Sequence, residues 1–258
     1  MSTPVQSMPS SYRFAFLFAT FLMALPLLAL PPTAEEVVAR ARAAIGLESS
    51  LKNLVTLQIT GRILPAAPDI PEAKVLLTAR RPLSQRLEVR IDDLMETTIL
   101  NGKRSCMIRS NSSVDGSHQM RSLSAKEAER FRLSTLNFFN FYRPDSPGGE
   151  TLTYGGIVLH RGVRCHRLVY TCPDGSFTTR FFAVSNGRFL SERNCRGIET
   201  VEMGEQSIGG IRFPQKIESF QDGRLLHTFI VEKVQVNKPL QAGIFTVPVK
   251  GQAIPVGK

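Results

Sequence analysis

The chain has 258 residues, 42% of them hydrophobic and 21% charged, a composition that suits a packed protein and excludes both a disordered chain and a polytopic membrane protein. Its formal net charge is +10, yet the Lys and Arg residues are scattered along strand-like segments and form no block. No helix-turn-helix or interleaved aromatic signature accompanies them, so a solvated basic surface is expected and a nucleic-acid partner is not.

In chain order, the first feature is the apolar run FAFLFATFLMALPLLAL from Phe14 to Leu30. Arg13 is the only charge ahead of Glu35, and Pro31, Pro32, Thr33 and Ala34 follow the run. This is the anatomy of an export signal. The run is shorter than the ~20 residues of a spanning helix, and Pro26 interrupts it. Residues 1–32 are therefore expected to be a signal peptide that exports residues 33–258 from the cytosol as one domain. Leu27 and Pro32 sit where a small residue is preferred for cleavage, so an uncleaved inner-membrane anchor is the competing expectation.

Thr33-Ala34-Glu35-Glu36 reads as a capping box, followed by Val37, Ala41, Ala44 and Ile45 at helical spacing and a stop at Gly46. From Asn53 the period becomes two. Val55, Leu57 and Ile59 alternate with polar residues, as do Val75, Leu77 and Ala79, and then Leu87, Val89 and Ile91. Turn signals recur at Asn101-Gly102, Asp115-Gly116, Arg161-Gly162, Pro173-Asp174-Gly175, Asn186-Gly187, Gly209-Gly210 and Asp222-Gly223. That rhythm predicts an antiparallel meander without parallel crossovers. A second capping box, Ser124-Ala125-Lys126-Glu127, opens a helix carrying Ala128, Phe131, Thr135, Phe138, Phe139 and Tyr142, ended by Arg143-Pro144. So wide an apolar stripe must be buried, and the concave side of the sheet is the expected place.

Catalytic constellations are missing from the sequence: there is no G-x-S-x-G, no H-E-x-x-H, no phosphate loop and no paired C-x-x-C. Neither an enzyme activity nor a cofactor nor a metal is expected. His160, Cys165 and His166 form the one cluster with metal potential, at a spacing that matches no familiar zinc pattern. Asp92-Asp93 points its carboxylates apart, and Glu35-Glu36 belongs to a helix cap. Cys106, Cys165, Cys172 and Cys195 would permit disulfides in an oxidising compartment. In a meander, however, Cys172 and Cys195 are separated by a strand, ~10 Å, which exceeds disulfide reach, so free thiols compete with every pairing. Periodicity by itself is satisfied by a plain hydrophobic core.

Two stretches carry more. The opening TAEEVVARARAAIGLESSLKNLVTLQITGRI leads a helix into a strand. The closing segment places Phe213, Pro214, Lys216 and Ile217 in an F-P-x-K-I hairpin. It continues to Val234, Asn237, Pro239 and Leu240, then to Phe245 and Pro248. Between them, ETLTYGGIVLHRGVRCHRLVYTCPDG and TRFFAVSNGRFLSE resemble the central hairpins of the same pattern. Together these stretches resemble the LolA-like and LolB-like superfamily of outer-membrane lipoprotein-sorting and carrier proteins.

The resemblance implies an α+β fold: a strongly curved antiparallel β-sheet, a half-open barrel, with helices packed on or plugging its concave face. It also implies a non-catalytic periplasmic carrier, monomeric and at most peripheral to the membrane, that holds a lipid or an acylated lipoprotein. Val55, Leu57, Ile59, Val75, Leu77, Leu87, Val89 and Ile91 would then line the apolar cavity, with Phe138, Phe139, Phe141 and Tyr142 as its lid. The alternative on the same fold is a sensory or structural envelope module that binds a protein partner along a strand edge.

Overall fold

The computed structural model describes residues 30–114 and 118–248. The expected signal segment, apart from its last three residues, and the Asp115-Gly116 turn lie outside them. The architecture below belongs to the compact unit that begins at Pro32. Among the described residues no helix is long and apolar enough to cross a membrane.

Helix α1 spans Ala34–Ile45, and its predicted capping box is formed. The Glu36 amide donates to Thr33 Oγ1 at 3.2 Å, and the Thr33 amide donates to the Glu36 carboxylate at 2.9 Å. Gly46 ends the helix in an extended conformation and bridges to Ile211; a Cβ there would run into the Gly210 carbonyl. A short helix α2, Glu48–Lys52, follows and buries Leu51. The sequence carries no signal for it, because five residues are too few to show a period.

Helix α3 spans Ala125–Asn140 and is capped by Ser124 and Glu127 as predicted. It stops short of the expected Tyr142. Phe141 and Tyr142 instead take left-handed conformations at φ 46° and 69°, which bulky residues rarely adopt. Their carbonyls hold them there: Arg42 Nη1 donates to Asn140 O at 2.6 Å and Phe141 O at 3.1 Å, and the Tyr170 hydroxyl donates to Tyr142 O at 2.7 Å.

The strands before α3 are β1 Thr56–Pro65, β2 Ala73–Arg80, β3 Ser84–Ile91, β4 Leu94–Asn101, β5 Arg104–Asn111 and β6 His118–Ser122. After it come β7 Thr151–His160, β8 Val163–Thr171, β9 Phe177–Ala183, β10 Phe189–Asn194, β11 Ile198–Met203, β12 Gln206–Ile208, β13 Ile211–Phe213, β14 Lys216–Gln221 and β15 Arg224–Val236. Thirteen of them form one antiparallel sheet in the order β6-β5-β4-β3-β2-β1-β15-β14-β11-β10-β9-β8-β7, while β12 and β13 form a separate hairpin.

The chain therefore starts at the middle of the sheet and meanders out to β6. Helix α3 carries it to the opposite edge, and a second meander returns it to β15 beside β1. This corrects the single meander read from the turns: every predicted turn inside the described residues joins paired strands, but turns cannot reveal that β1 pairs with β15. In the Arg161-Gly162 and Asp222-Gly223 turns both residues have positive φ, the type I′ signature. The sheet is strongly curved and not closed, and register shifts at Thr60/Gly61, Tyr154/Ile157, Phe189/Ser191 and Ser219/Phe220 increase its local twist.

Register assigns the faces. Leu57 pairs with Ala79 and Ile59 with Leu77. Val75 pairs with Val89, Leu77 with Leu87 and Ala79 with Gln85, so all share one side. That concave side carries the helices. Leu57 and Ala79 join Leu51, Leu54, Phe139 and Phe141 in one buried cluster. Val37, Val38 and Ala41 of α1 pack on Leu168, Tyr170 and Phe182 in another.

The convex side has its own small core, where Ile99, Cys106 and Ile108 are covered by Val247 of the C-terminal segment. Asn237 explains why the closing motif carries an amide. Its Oδ1 accepts from the Val55 and Thr56 amides at 2.8 and 3.3 Å, and its Nδ2 donates to Asn53 O at 2.9 Å, tying β15 to the start of β1.

Candidate functional site

The period-two residues of β1–β3 lie on the concave side at graded depths. Leu57 and Val75 are buried, and Ile59 and Leu77 pack partly buried against the same cluster. Leu87, Val89 and Ile91 are only half-buried and belong to no closed cluster. Val55 lies ahead of β1 and is 48% exposed, because its amide is committed to Asn237 outside the sheet.

Of the aromatic residues at the end of α3, Phe139 and Phe141 are buried, while Phe138 and Tyr142 are half-buried. Along α3 itself only Thr135 and Phe139 are buried, and Phe131, Leu133, Leu136 and Phe138 keep partial exposure. Polar contacts pin the helix along its length: Arg121 of β6 grips the Glu127 carboxylate at 2.7 and 2.8 Å, the Thr135 hydroxyl donates to the Gln85 amide oxygen at 2.7 Å, and Arg81, just after β2, donates to Phe139 O at 2.9 Å. The result is an apolar floor running out from beneath a helix whose own apolar stripe is unevenly seated. Opposite Val89 the floor ends in the Glu96–Arg109 ion pair, 2.8 Å.

A second hollow, about 280 Å³, lies against α1 and β10–β13; Tyr142 is the one expected lid residue that lines it. Ala41, Ala44, Ile45, Phe189, Phe213 and Pro214 supply apolar wall, and Glu202, Arg188, Glu205 and Arg212 supply charge. No sequence pattern marked Glu202, since its burial comes from α1 and the β13 segment folding over an ordinary alternating strand. Burial, then repulsion from Glu192, push the Glu202 carboxyl up to about 7, and the charge of Arg180 offsets only part of this.

The His160, Cys165 and His166 cluster does not converge. Cys165 and His166 are neighbours on β8 and point to opposite faces. His166 Nδ1 lies 3.1 Å from the Tyr154 hydroxyl and its buried Nε2 has no partner; burial, then the charge of Arg40, hold its pKa below the ordinary value. Among the described residues no three His, Cys, Asp or Glu side chains are grouped to hold a metal, and all four cysteines are free thiols.

His160 instead joins Ser191 and Glu199 on the convex side. Its Nε2 lies 2.8 Å from Ser191 Oγ and 2.9 Å from Glu199 Oε1, and its ring stacks on Phe181 at 3.7 Å. A hydrolytic triad needs acid and nucleophile on different ring nitrogens, whereas here one nitrogen meets both and Ser191 is fully buried.

This cluster is a structural clamp. Burial raises the Glu199 pKa, but the Arg161 hydrogen bond and charge, with Ser191 and His160, outweigh it and bring the value down to about 2. A carboxylate lowered in the folded state stabilises above its unfolded value and loses that contribution as pH falls. Acid titration of unfolding should therefore show a loss on the order of 2 kcal/mol between about pH 4.5 and pH 2 that Glu199→Gln removes. Identical acid slopes for the two proteins would contradict this.

No protein-family model matches the chain, and no curated protein matches it. Solved structures do. A LolA-superfamily protein from Nitrosomonas europaea superposes with a TM-score of 0.57 at 15% identity, over 84% of this chain and 98% of that one. The chain has the LolA-like fold.

A protein domain from Vibrio parahaemolyticus, described as outer-membrane lipoprotein-sorting, gives 0.56 at 9% identity over 83% and 97% of the two chains. A DUF1329-family protein from Desulfovibrio piger gives 0.57 at 10% identity over 83% and 97%. At such identities the likeness is one of fold: the LolA-like half-barrel accounts for the open sheet and for the helices on its concave side, and leaves the ligand to be argued from the side chains.

Proposed function

We propose that this LolA-like protein is a non-catalytic carrier of the periplasm that holds a lipid or lipoprotein acyl chain on its concave floor. The observation that carries the reading is the uneven burial of that floor. Leu57 is closed off in one cluster with Leu51 and Phe139 of the helices and Val75 is buried, while Leu87, Val89 and Ile91, on the same face, are only half-buried. Apolar area left half-covered beneath a helix is area that an alkyl chain can cover, with a gain of ~0.8 kcal/mol per methylene.

The α3 lid is suited to the task. Phe131, Leu133, Leu136 and Phe138 keep partial exposure along it, apolar surface that a bound chain could cover as well. Calorimetric titration with alkyl carboxylates of increasing length tests the reading. Binding should strengthen by close to ~0.8 kcal/mol per added methylene until the floor is filled, with a negative heat-capacity change. Affinity independent of chain length would overturn it.

A protein-binding role along a strand edge is the second reading. It is favoured by β7, an edge strand on which Leu159 is 75% exposed and Ile157 is also exposed. Leu159→Asp would weaken capture of such a partner and leave alkyl-chain binding intact.

A further inference from the structure

The hollow beside α1 has charges in the wrong proportions for an empty site. Glu202 in its wall shares the charge of one guanidinium with Glu192, and Arg180 gives its ion pair to Glu192 at 3.1 Å. Among the described residues no hydrogen bond or salt bridge reaches the Glu202 carboxylate, and α1 contributes only Ala41, Ala44 and Ile45 to the wall around it. At the mouth the imbalance is reversed. Arg188 and Arg212 share the single carboxylate of Glu205, at 3.1 and 3.9 Å. Tyr142 and Phe189 also line the hollow, their rings stacked on each other at 5.3 Å, and Arg180 lies over the Tyr142 ring at 5.8 Å.

We infer that this hollow binds a small zwitterion, with its ammonium group on Glu202 and its anionic group between Arg188 and Arg212. Each end then gains the charge it lacks, and an otherwise unpaired carboxylate in an apolar wall acquires a partner. The volume, about 280 Å³, lies at the small end for ligand sites, so it suits an aminoalkyl phosphate or a lipid headgroup of that kind and not a diacyl chain. The Glu202 carboxyl, raised to about 7 by burial and by Glu192 with only partial offset from Arg180, fits a group short of cationic partners.

The inference is independent of acyl-chain binding on the floor: either site can fail without the other. The test is calorimetric titration of the full protein at pH 8, where Glu202 is mostly ionised, with O-phosphoethanolamine and its two halves, ethanolamine and ethyl phosphate. O-phosphoethanolamine should bind saturably and at least tenfold more tightly than either half. Glu202→Gln should reduce it to the level of ethyl phosphate, and Arg188→Ala with Arg212→Ala to the level of ethanolamine. Should a variant misfold, the comparison of whole and half ligands on the unaltered protein still decides.

Vesicles of phosphatidylethanolamine and phosphatidylglycerol that displace O-phosphoethanolamine, where phosphatidylglycerol alone does not, would place the ligand in a lipid headgroup. Absence of that displacement would place it among soluble zwitterions. No saturable binding of O-phosphoethanolamine, or equal binding of ethyl phosphate that is indifferent to Glu202→Gln, would overturn the inference.

Discussion

Arg42→Met is expected to destabilise the fold by about 3 kcal/mol and to loosen α3 from the sheet. Arg42 is 5% exposed, and its guanidinium joins three segments: it grips Glu48 through two nitrogens at 2.9 to 3.1 Å, and it donates to the carbonyls of Asn140 and Phe141. Glu48 is partly exposed, so water would take over much of that contact. The two carbonyls lie where α3 turns into the left-handed Phe141 and Tyr142, and there the loss falls on buried acceptors. Urea denaturation measures the cost, and amide exchange along α3 should accelerate in the same variant. A change under about 1 kcal/mol would show that Arg81 and Tyr170, which also donate to carbonyls at this end, hold it without Arg42.

Leu87→Glu is expected to weaken alkyl-chain binding by more than about a hundredfold while costing about 1 kcal/mol or less of stability. The half-buried Leu87 leaves a carboxylate there able to reach water in the empty protein, and an incoming chain would have to strip that water away. Leu57→Ala, on the same face but 1% exposed, should do the reverse and cost about 3 kcal/mol through the cavity it leaves. Equal losses of stability at the two positions, measured by denaturant titration, would mean that the floor is ordinary core.

Much of the architecture was legible because it depends on neighbours in sequence. Thr33 with Glu36 and Ser124 with Glu127 form their capping boxes, and Asn-Gly, Asp-Gly and Gly-Gly pairs mark hairpins, because each is a contact within a few residues. The period-two residues of β1–β3 likewise fall on the helix-bearing side. What escaped depends on distance. The pairing of β1 with β15 joins Leu57 to Val236, and the Val247 cover on the convex side packs on Ile99 and Cys106; neither is written in a local pattern.

Val55 continues the alternation in sequence but is drawn off the strand by Asn237, 182 residues away. Phe141 was expected as helix and is left-handed because Arg42, nearly a hundred residues earlier, captures its carbonyl. Glu202 looks like any outward strand glutamate until α1 and the β13 segment fold across it.

The carrier reading rests on the concave floor being finished by a molecule from outside. The most direct measurement is to purify the protein from a bacterial host under mild conditions, extract it with organic solvent and weigh the extract against protein by mass spectrometry. Acyl-bearing lipid in near-stoichiometric amount, lost on Leu87→Glu, is the predicted result. A lipid-free extract from a folded protein that also ignores added alkyl carboxylates would contradict the account.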